Sequence, residues 1–363
     1  MILKRLQVLR QELRVKKADA FLLINHEQSG QPATRYLSGF SGTESVLVVT
    51  PKKHFIVADG RYFSQAEMEA EHFKLIKRQN LTLATMLKEL FEKERVRLVL
   101  IDGSHTAYSF VEAIRAASRR LVFKNDPELL HRLRIVKDAG ELRNLQKAAD
   151  ISIVAFKKLL SMVKPGVTEL WLASRLELLM KEGGAAKAAF ESIVASGKNG
   201  ARPHAKPTAK KIKKGELITF DFGASYNGYM SDITRTVALG TITPKLRAIY
   251  ETVRESQELG CSAARAGVTG RELDMICREY IHDQDYSAHF LHSTGHGLGM
   301  QVHELPIVSS GSSKPLPVNA VITVEPGIYV EGLGGVRIED ALVIKKDGNI
   351  NLHQKMTKKL ITL

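Results

Sequence analysis

The sequence predicts an α/β domain over residues 1–128, followed by an α+β domain over residues 129–363 that contains an internal pseudo-twofold repeat. Three observations support this prediction. Short apolar runs alternate with helical segments in the first part. A loop-like Asn-Asp-Pro at 125–127 then precedes a long, charged and periodically apolar stretch. Finally, Gly-Val-Thr occurs twice in the second part.

The first domain has the alternation that α/β proteins show. A charged segment with leucines at helical spacing, residues 1–17, predicts an amphipathic helix rather than a secretory signal. The predicted strands and helices that follow are strands at 20–24, 45–49, 54–58 and 97–101, with helices at 81–94 and 109–117.

The repeat in the second domain extends beyond Gly-Val-Thr. The two copies, at 166–168 and 267–269, lie 101 residues apart, and each precedes an amphipathic helix. Further matches follow in the same order: 194–197 with 293–295, then Pro203-His204 with Val302-His303, then strand pairs. Ordered matches of this kind indicate a duplicated half-domain. A site between the halves would draw ligands from both.

Composition restricts the class of protein. With 44% apolar and 25% charged residues, the chain has the composition of a soluble globular protein. The only cysteines, Cys261 and Cys277, have a spacing that suits neither a zinc knuckle nor a disulfide framework, so a cytoplasmic location is expected. No apolar run approaches the roughly 18 residues of a membrane span, and no membrane partner is expected.

The net charge of +14 raises the question of a nucleic-acid partner. The most basic stretch, residues 202–214, holds six Lys or Arg residues but no aromatic residue that could stack on bases. We therefore interpret it as a solvated loop, and no nucleic-acid partner is expected.

Acidic residues recur on two predicted hairpins. In the first half, Asp221 lies on a strand opposite Phe220 and Phe222, and the predicted return strand at 231–237 carries Asp232. In the second half, residues 321–327 predict a strand carrying Glu325, and residues 336–340 predict one with Arg337 and Glu339 on the same face. Carboxylates among apolar side chains need a cation, since an unpaired buried charge is costly.

Histidines supply the remaining candidates. Four of the twelve lie within residues 289–303: His289, His292, His296 and His303. We interpret His289 as structural. Four carboxylates and one imidazole suit two divalent ions such as Mn²⁺, Co²⁺ or Zn²⁺, about 3.5–4 Å apart with a shared hydroxide. The sequence contains no His-Glu-x-x-His, no Gly-x-Ser-x-Gly and no P-loop, so metal-assisted hydrolysis is favoured.

These segments resemble the metallopeptidases of the pita-bread fold, which include methionine aminopeptidase, Xaa-Pro aminopeptidase, Xaa-Pro dipeptidase and the non-metal creatinase. The matching segments are Ile-Val-Ala-Ser-Gly at 193–197, Pro-His at 203–204, Phe-Asp-Phe-Gly at 220–223, Ser-Asp-Ile-Thr-Arg-Thr at 231–236, Gly-His-Gly-Leu-Gly at 295–299, Val-His-Glu at 302–304, Val-Glu-Pro-Gly at 324–327 and Arg-Ile-Glu at 337–339. In the first domain, residues 36–42 and 59–62 resemble the creatinase-like domain of the Xaa-Pro aminopeptidase branch.

The resemblance implies a ligand set for two divalent ions per chain, with Mn²⁺ expected first and Co²⁺ or Zn²⁺ as alternatives. Asp232 and Glu339 would bridge both ions. Asp221 would complete the shell of one ion, and His296 and Glu325 that of the other.

The resemblance also implies catalytic and substrate-binding roles. Glu325 would handle the proton of the bridging hydroxide, and His303 would support the tetrahedral intermediate. His204, on the opposite wall, would hold substrate, and Arg337 would pair with ligand carboxylates or orient the peptide. The pocket residues include His292 and Tyr329.

The implied function is an Xaa-Pro aminopeptidase, in which a metal-bridging hydroxide attacks the bond before proline in short peptides. A homodimer is expected, because in this family the first domain and a second subunit restrict entry. An Xaa-Pro dipeptidase is the nearest alternative, since it shares the ligands and histidines. A pita-bread binding protein without catalysis is disfavoured by the intact ligand set. The long first domain argues against methionine aminopeptidase, and the ligands argue against creatinase.

Overall fold

A mixed six-stranded sheet forms the centre of the N-terminal part of the chain. The computed structural model describes residues 1–27 and 31–363, and these fall into two units, Met1–Leu133 and Arg134–Leu363. The strands are β1 Ala20–Asn25, β2 Ser45–Val49, β3 His54–Ala58, β4 Lys74–Lys77, β5 Leu98–Ile101 and β6 Val122–Asn125. The helices are α1 Ile2–Val15, α2 Pro32–Ser38, α3 Phe63–Glu69, α4 Leu83–Lys93, α5 Tyr108–Ala117 and α6 Leu129–Arg134.

The order of this sheet is β4-β3-β2-β1-β5-β6, with β2 antiparallel to both of its neighbours and the other pairs parallel. A short turn joins β2 to β3, whereas α3 connects the parallel pair β3–β4 and α5 connects the parallel pair β5–β6, as parallel strands require. Every residue of β1 and β2 is buried. The predicted α/β alternation is therefore confirmed for the first unit.

The second unit contains the remaining elements. Its helices are α7 Ala139–Leu160, α8 Glu169–Glu182, α9 Pro244–Ala263 and α10 Gly270–Asp283, with 3-10 turns at Gly197–Ala201 and Ser287–His289. Its strands are β7 Lys187–Ala188, β8 Ile193–Ser196, β9 Glu216–Phe222, β10 Ala224–Tyr226, β11 Tyr229–Met230, β12 Ile233–Leu239, β13 Gly295–Gly297, β14 Glu304–Val308, β15 Val321–Val324, β16 Gly327–Val330, β17 Gly334–Arg337, β18 Asp340–Lys345 and β19 Gly348–Asn351. Across residues 1–27 and 31–363, no helix is both long enough and apolar enough to traverse a lipid bilayer.

Two related halves make up this unit. In the first half, α7 and α8 pack on the sheet β12-β9-β8; in the second, α9 and α10 pack on the sheet β14-β13-β15-β18-β19. Each half has its own apolar core, one around Phe156, Phe220 and Phe222 and the other around Tyr250 and Ile322. Burial of each sheet face against its own helix pair gives each half an independent apolar core.

The repeated Gly-Val-Thr has the same structural role in both halves. Gly166 and Gly267 adopt φ values of +93° and +88°, which favour glycine. Thr168 and Thr269 then cap α8 and α10, each side chain accepting a hydrogen bond from a backbone N–H of the first turn. The repeat seen in the sequence is thus a repeated turn and helix start.

A seam of hydrogen bonds joins the two halves. We use the term central seam for residues 234–236 of β12 together with residues 337–340. The Thr234 hydroxyl donates to Glu339 Oε2 at 2.7 Å, and the Glu339 N–H donates to the Thr234 carbonyl at 3.1 Å. Thr236 Oγ1 likewise donates to the Arg337 carbonyl at 3.0 Å and accepts from the Arg337 N–H at 3.2 Å.

Arg235 stabilises the central seam. Its guanidinium is buried and forms an ion pair of 2.7 Å with Asp340, which is also fully buried. The remaining acceptors are the carbonyl oxygens of Thr234, Glu339, Met356 and Thr357. Arg235 therefore connects both halves and the C-terminal segment through one rigid, multidentate group.

We expect Arg235→Met to lower the free energy of unfolding by about 3–5 kcal/mol, because Asp340 would lose its principal counter-charge in a fully buried position. Urea denaturation monitored by circular dichroism measures the loss. Arg254→Met is the control: its acidic partners on α9 are each more than two-fifths exposed, so it should cost about 0–1 kcal/mol. Equal losses of unfolding free energy in the two variants would contradict this stabilising role of Arg235.

Candidate metal centre

Five side chains from five places in the second unit converge on one buried site. Asp221 lies on β9 and Asp232 directly precedes β12, so the first half supplies two carboxylates. His296 lies on β13, Glu325 directly follows β15, and Glu339 lies between β17 and β18. The structure therefore brings together the five side chains that the sequence analysis proposed as metal ligands.

The predicted strand boundaries around these residues are wrong in detail. Asp232, Glu325 and Glu339 were each predicted within a strand, yet each lies at a strand end. The predicted hairpin itself is confirmed, but it is interrupted: β15 pairs with β18, β16 pairs with β17, and Glu325 and Glu339 lie at the break. The strands break because backbone groups at these points bond elsewhere: the N–H of Glu325 donates to the Thr294 carbonyl, and that of Glu339 donates to Thr234. At these strand ends the side chains of Glu325 and Glu339 are directed into the site.

Three of these candidate ligands lie close enough to one another to share an ion. Asp232, His296 and Glu339 each offer a ligand atom within 4.8 Å of those of the other two. The Nε2 of His296 lies 3.2 Å from Glu325 Oε1 and 3.6 Å from Asp232 Oδ2. Its Nδ1 lies 3.1 Å from the carbonyl oxygen of Gly297, a contact that orients Nε2 toward the carboxylates.

Asp221 is held by Arg337. The Arg337 Nη2 donates to Asp221 Oδ2 at 2.5 Å, while Nε donates to the Thr234 hydroxyl and Nη1 to the Tyr329 hydroxyl. Nη1 also donates to the carbonyl oxygen of Pro203 at 3.2 Å. Arg337 thus orients the carboxylate of a candidate ligand and links it to the loop that carries His204.

The buried carboxylates of the site need additional positive charge to be stable in their ionised forms. Burial, followed by repulsion from neighbouring carboxylates, raises the pKa values of Asp232 and Glu339 well above their ordinary range. Burial also raises the pKa of Asp221, although Arg337 opposes the shift. One oxygen each of Asp221 and Glu339 is buried without a hydrogen-bond partner among the described residues.

His296 and Glu325 form the compensated part of the cluster. Burial lowers the pKa of His296, but its hydrogen bond and charge interaction with Glu325, together with the charge of Asp232, outweigh this effect and raise it to about 9. The pKa of Glu325 is raised by burial, yet contact with His296 lowers it to about 2 overall. The His296 imidazolium and the Arg337 guanidinium together cannot neutralise four acids, so the oxygen-rich donor set fits divalent metal ions.

The other predicted site residues line the same cleft. The His292 Nε2 lies 2.8 Å from the Tyr329 hydroxyl, and burial raises the pKa of Tyr329 to about 12. The His303 ring lies 4.2 Å from the His296 ring, centroid to centroid. Burial lowers the pKa of His303, and the charges of His296 and exposed His204 lower it further. His289 contacts the Tyr329 carbonyl at 3.1 Å, in keeping with its structural interpretation.

Supporting residues of the site were missed by the sequence analysis. Thr234 bonds both Glu339 and Arg337, and the alternation of β12 could have placed it on the face of Asp232. Buried Asp274 accepts from the Thr294 N–H, and its partner Arg278 donates to the His292 carbonyl. No local signal in α10 marks Asp274, because its partners lie in a loop elsewhere in the sequence.

Family models match both parts of the chain. Residues 143–346 match the model described as metallopeptidase family M24. The chain belongs to metallopeptidase family M24. Residues 5–136 match a second model, the creatinase/prolidase N-terminal domain. The resemblance inferred from the sequence is confirmed, and this M24 chain is a metal-dependent hydrolase that takes divalent ions.

Three relatives of known name illustrate the similarity. The structure of an Xaa-Pro dipeptidase from Bacillus anthracis has a TM-score of 0.95 and 36% identity, with 100% of both chains covered. That of an X-Pro aminopeptidase from Thermotoga maritima has a TM-score of 0.92 and 35% identity, covering 97% of this chain and all of that one. The Xaa-Pro dipeptidase of Pyrococcus furiosus is 38% identical over 81% of this chain and 85% of its own length. These similarities confirm the pita-bread fold of the M24 unit.

We expect Asp232→Asn to leave the metal-free Tm unchanged or raised, because it removes a carboxylate from a crowded buried cluster. The same change should abolish most of the Tm increase that Mn²⁺ produces, which for wild type at a concentration of 100 Kd corresponds to about 2.7 kcal/mol. Differential scanning calorimetry with and without Mn²⁺ measures both. The control, Asp283→Asn, alters an exposed acid and should respond to Mn²⁺ as wild type does. A full Mn²⁺ response in Asp232→Asn would contradict the metal centre.

Proposed function

We propose that this M24 chain is an Xaa-Pro aminopeptidase, which hydrolyses the bond between an N-terminal residue and proline with two divalent ions, Mn²⁺ in the first instance and Co²⁺ or Zn²⁺ as alternatives. One observation carries the proposal: the convergence of Asp221, Asp232, His296, Glu325 and Glu339 in a buried cluster with excess acid. Relatives named Xaa-Pro peptidases supply the substrate class.

In this proposal Asp232 and Glu339 would hold both ions. Asp221 would hold one ion, and His296 and Glu325 would hold the other. The contact of His296 with both Glu325 and Asp232, and the repulsion between Asp232 and Glu339, support this distribution. When bound, the ions supply Lewis acidity and lower the pKa of a water molecule.

The residues around the cluster carry the proton and substrate steps. Glu325 accepts the proton of the attacking water and transfers it to the departing proline nitrogen, while the Thr323 hydroxyl, 3.2 Å away, holds the carboxylate in place. His303 donates a hydrogen bond to the scissile carbonyl oxygen as negative charge develops there. Arg337 keeps Asp221 and Tyr329 in position through two of its donors.

Proline dictates the form of the substrate pocket. The bond before proline has no N–H, so recognition by strand pairing is weakened and side chains must define the substrate. His292 and Tyr329 form a hydrogen-bonded pair on one wall, and in this proposal His204 of the first half holds the substrate from the other side. Short proline-containing peptides are the proposed substrates of this cleft.

Two further proposals complete the description. A homodimer follows from the family resemblance, as does restriction to short peptides. A reducing cytoplasm suits Cys261 and Cys277, which are both buried free thiols. Xaa-Pro dipeptidase remains the second candidate function, because the relatives from Bacillus anthracis and Pyrococcus furiosus carry that name.

Two peptides separate the candidates. We expect Mn²⁺-loaded protein to release glycine from Gly-Pro-Ala, with Gly-Ala-Ala left intact as the control peptide. Glu325→Gln should lower kcat by about 10²–10⁴, since it removes the proton acceptor, whereas exposed Glu331→Gln should have no effect. Chromatography of the products measures the rates. Cleavage of Gly-Pro alone would identify a dipeptidase, and intact Gly-Pro and Gly-Pro-Ala would refute the proposed activity.

A further inference from the structure

A buried carboxylate outside the metal centre organises the loop that carries His204. Glu169 is the first residue of α8 and its side chain is fully buried. Its Oε1 accepts hydrogen bonds from the Ser196 N–H, the Ser196 hydroxyl and the Asn199 amide at 2.7, 2.8 and 3.1 Å. Its Oε2 accepts from the Asn199 amide, the Thr208 N–H and the Thr208 hydroxyl at 3.0, 3.2 and 2.6 Å.

These partners lie at both ends of one segment. Ser196 is the last residue of β8, and Asn199 lies in the 3-10 turn that follows it. Beyond that turn, residues 202–208 form neither helix nor strand, and this stretch contains His204. Glu169 thus ties the start of the segment to its end, so that the chain between them is a closed loop. We call residues 196–208 the His204 loop.

The middle of the His204 loop is fastened to the metal centre. Arg337 Nη1 donates to the carbonyl oxygen of Pro203, the residue next to His204, while Nη2 of the same guanidinium holds Asp221. The loop therefore has an anchor at its base, Glu169, and a contact at its tip, Arg337. His204 itself is exposed.

The anchor depends on the carboxylate rather than on a counter-ion. Among the described residues, no cationic group contacts Glu169; the nearest in the network is Lys210, which bonds the Ser196 hydroxyl and pairs with Glu216. Two backbone N–H groups and an amide NH₂ point at Glu169, and these can only donate. A glutamine of the same shape would place its own NH₂ against them, leaving buried donors unpaired.

We propose that Glu169 is a positioning residue that fixes His204 against the substrate cleft. This inference rests on the proposed function in one respect: the molecule that His204 contacts is taken to be an Xaa-Pro peptide. Glu169 touches neither substrate nor metal, so it acts entirely through the geometry of the His204 loop.

A double-mutant cycle tests this role. Glu169→Gln should lower kcat/KM for Gly-Pro-Ala by about 10-fold to 100-fold, mainly through KM, while Mn²⁺ affinity measured by calorimetry stays at the wild-type value. In a His204→Ala background the same change should cost less than about 2-fold, because the residue being positioned is gone. Glu177→Gln is the matched control, since Glu177 lies on the same helix and bonds Ser192, outside the loop. Additive losses would overturn the proposal.

A second readout needs no substrate. Thr208→Val keeps Glu169 in place and removes one of its six hydrogen bonds, so it tests the anchor even if Glu169→Gln does not fold. Trypsin should cleave this variant after Lys198, which lies inside the His204 loop and precedes Asn199, about 5-fold faster than wild type, as proteolysis follows local opening. Arg202 and Lys206 precede proline and resist trypsin. An unchanged cleavage rate would show that Glu169 does not anchor the His204 loop. A wild-type protein that cleaves neither Gly-Pro nor Gly-Pro-Ala would refute only the proposed function.

Discussion

The central seam is the constraint on which the rest of the M24 unit depends. Two half-domains with separate apolar cores meet along Thr234–Thr236 and Arg337–Asp340, where each backbone supplies partners to the other. Because side chains alternate across this seam, Arg337 and Glu339 face the metal centre while the buried Asp340 pairs with Arg235 on the other side. One set of contacts therefore fixes both the joining of the halves and the positions of the ligands.

The same arrangement concentrates negative charge where water is excluded. Burial, followed by repulsion from neighbouring carboxylates, favours the protonated forms of Asp232 and Glu339, and His296 compensates mainly Glu325. Sites of this kind sacrifice stability for function, and the surrounding fold must compensate. Here Arg235 and the apolar cores provide that stability, so the acids can remain poised for divalent ions.

The sequence allowed prediction of the α/β first unit, the repeat and all five candidate ligands, because these depend on local periodicity and residue chemistry. Asp221 could be assigned to a face from its apolar neighbours Phe220 and Phe222 alone. Contacts between distant residues could not be predicted: Arg337 meets Asp221 across 116 positions, and Glu169 meets Thr208 across a loop. The strand ends at Glu325 and Glu339 were missed for the same reason, since their N–H groups bond to the distant Thr294 and Thr234.

We propose that the central seam assembles side chains from both halves into one dinuclear metal centre. Crystallography of the Mn²⁺-loaded protein, with anomalous data collected at the manganese edge, tests it directly. The account predicts two anomalous peaks per chain, both in contact with Asp232 and Glu339, one of them with Asp221 and the other with His296 and Glu325. A single peak, or peaks bound by residues of only one half, would contradict it.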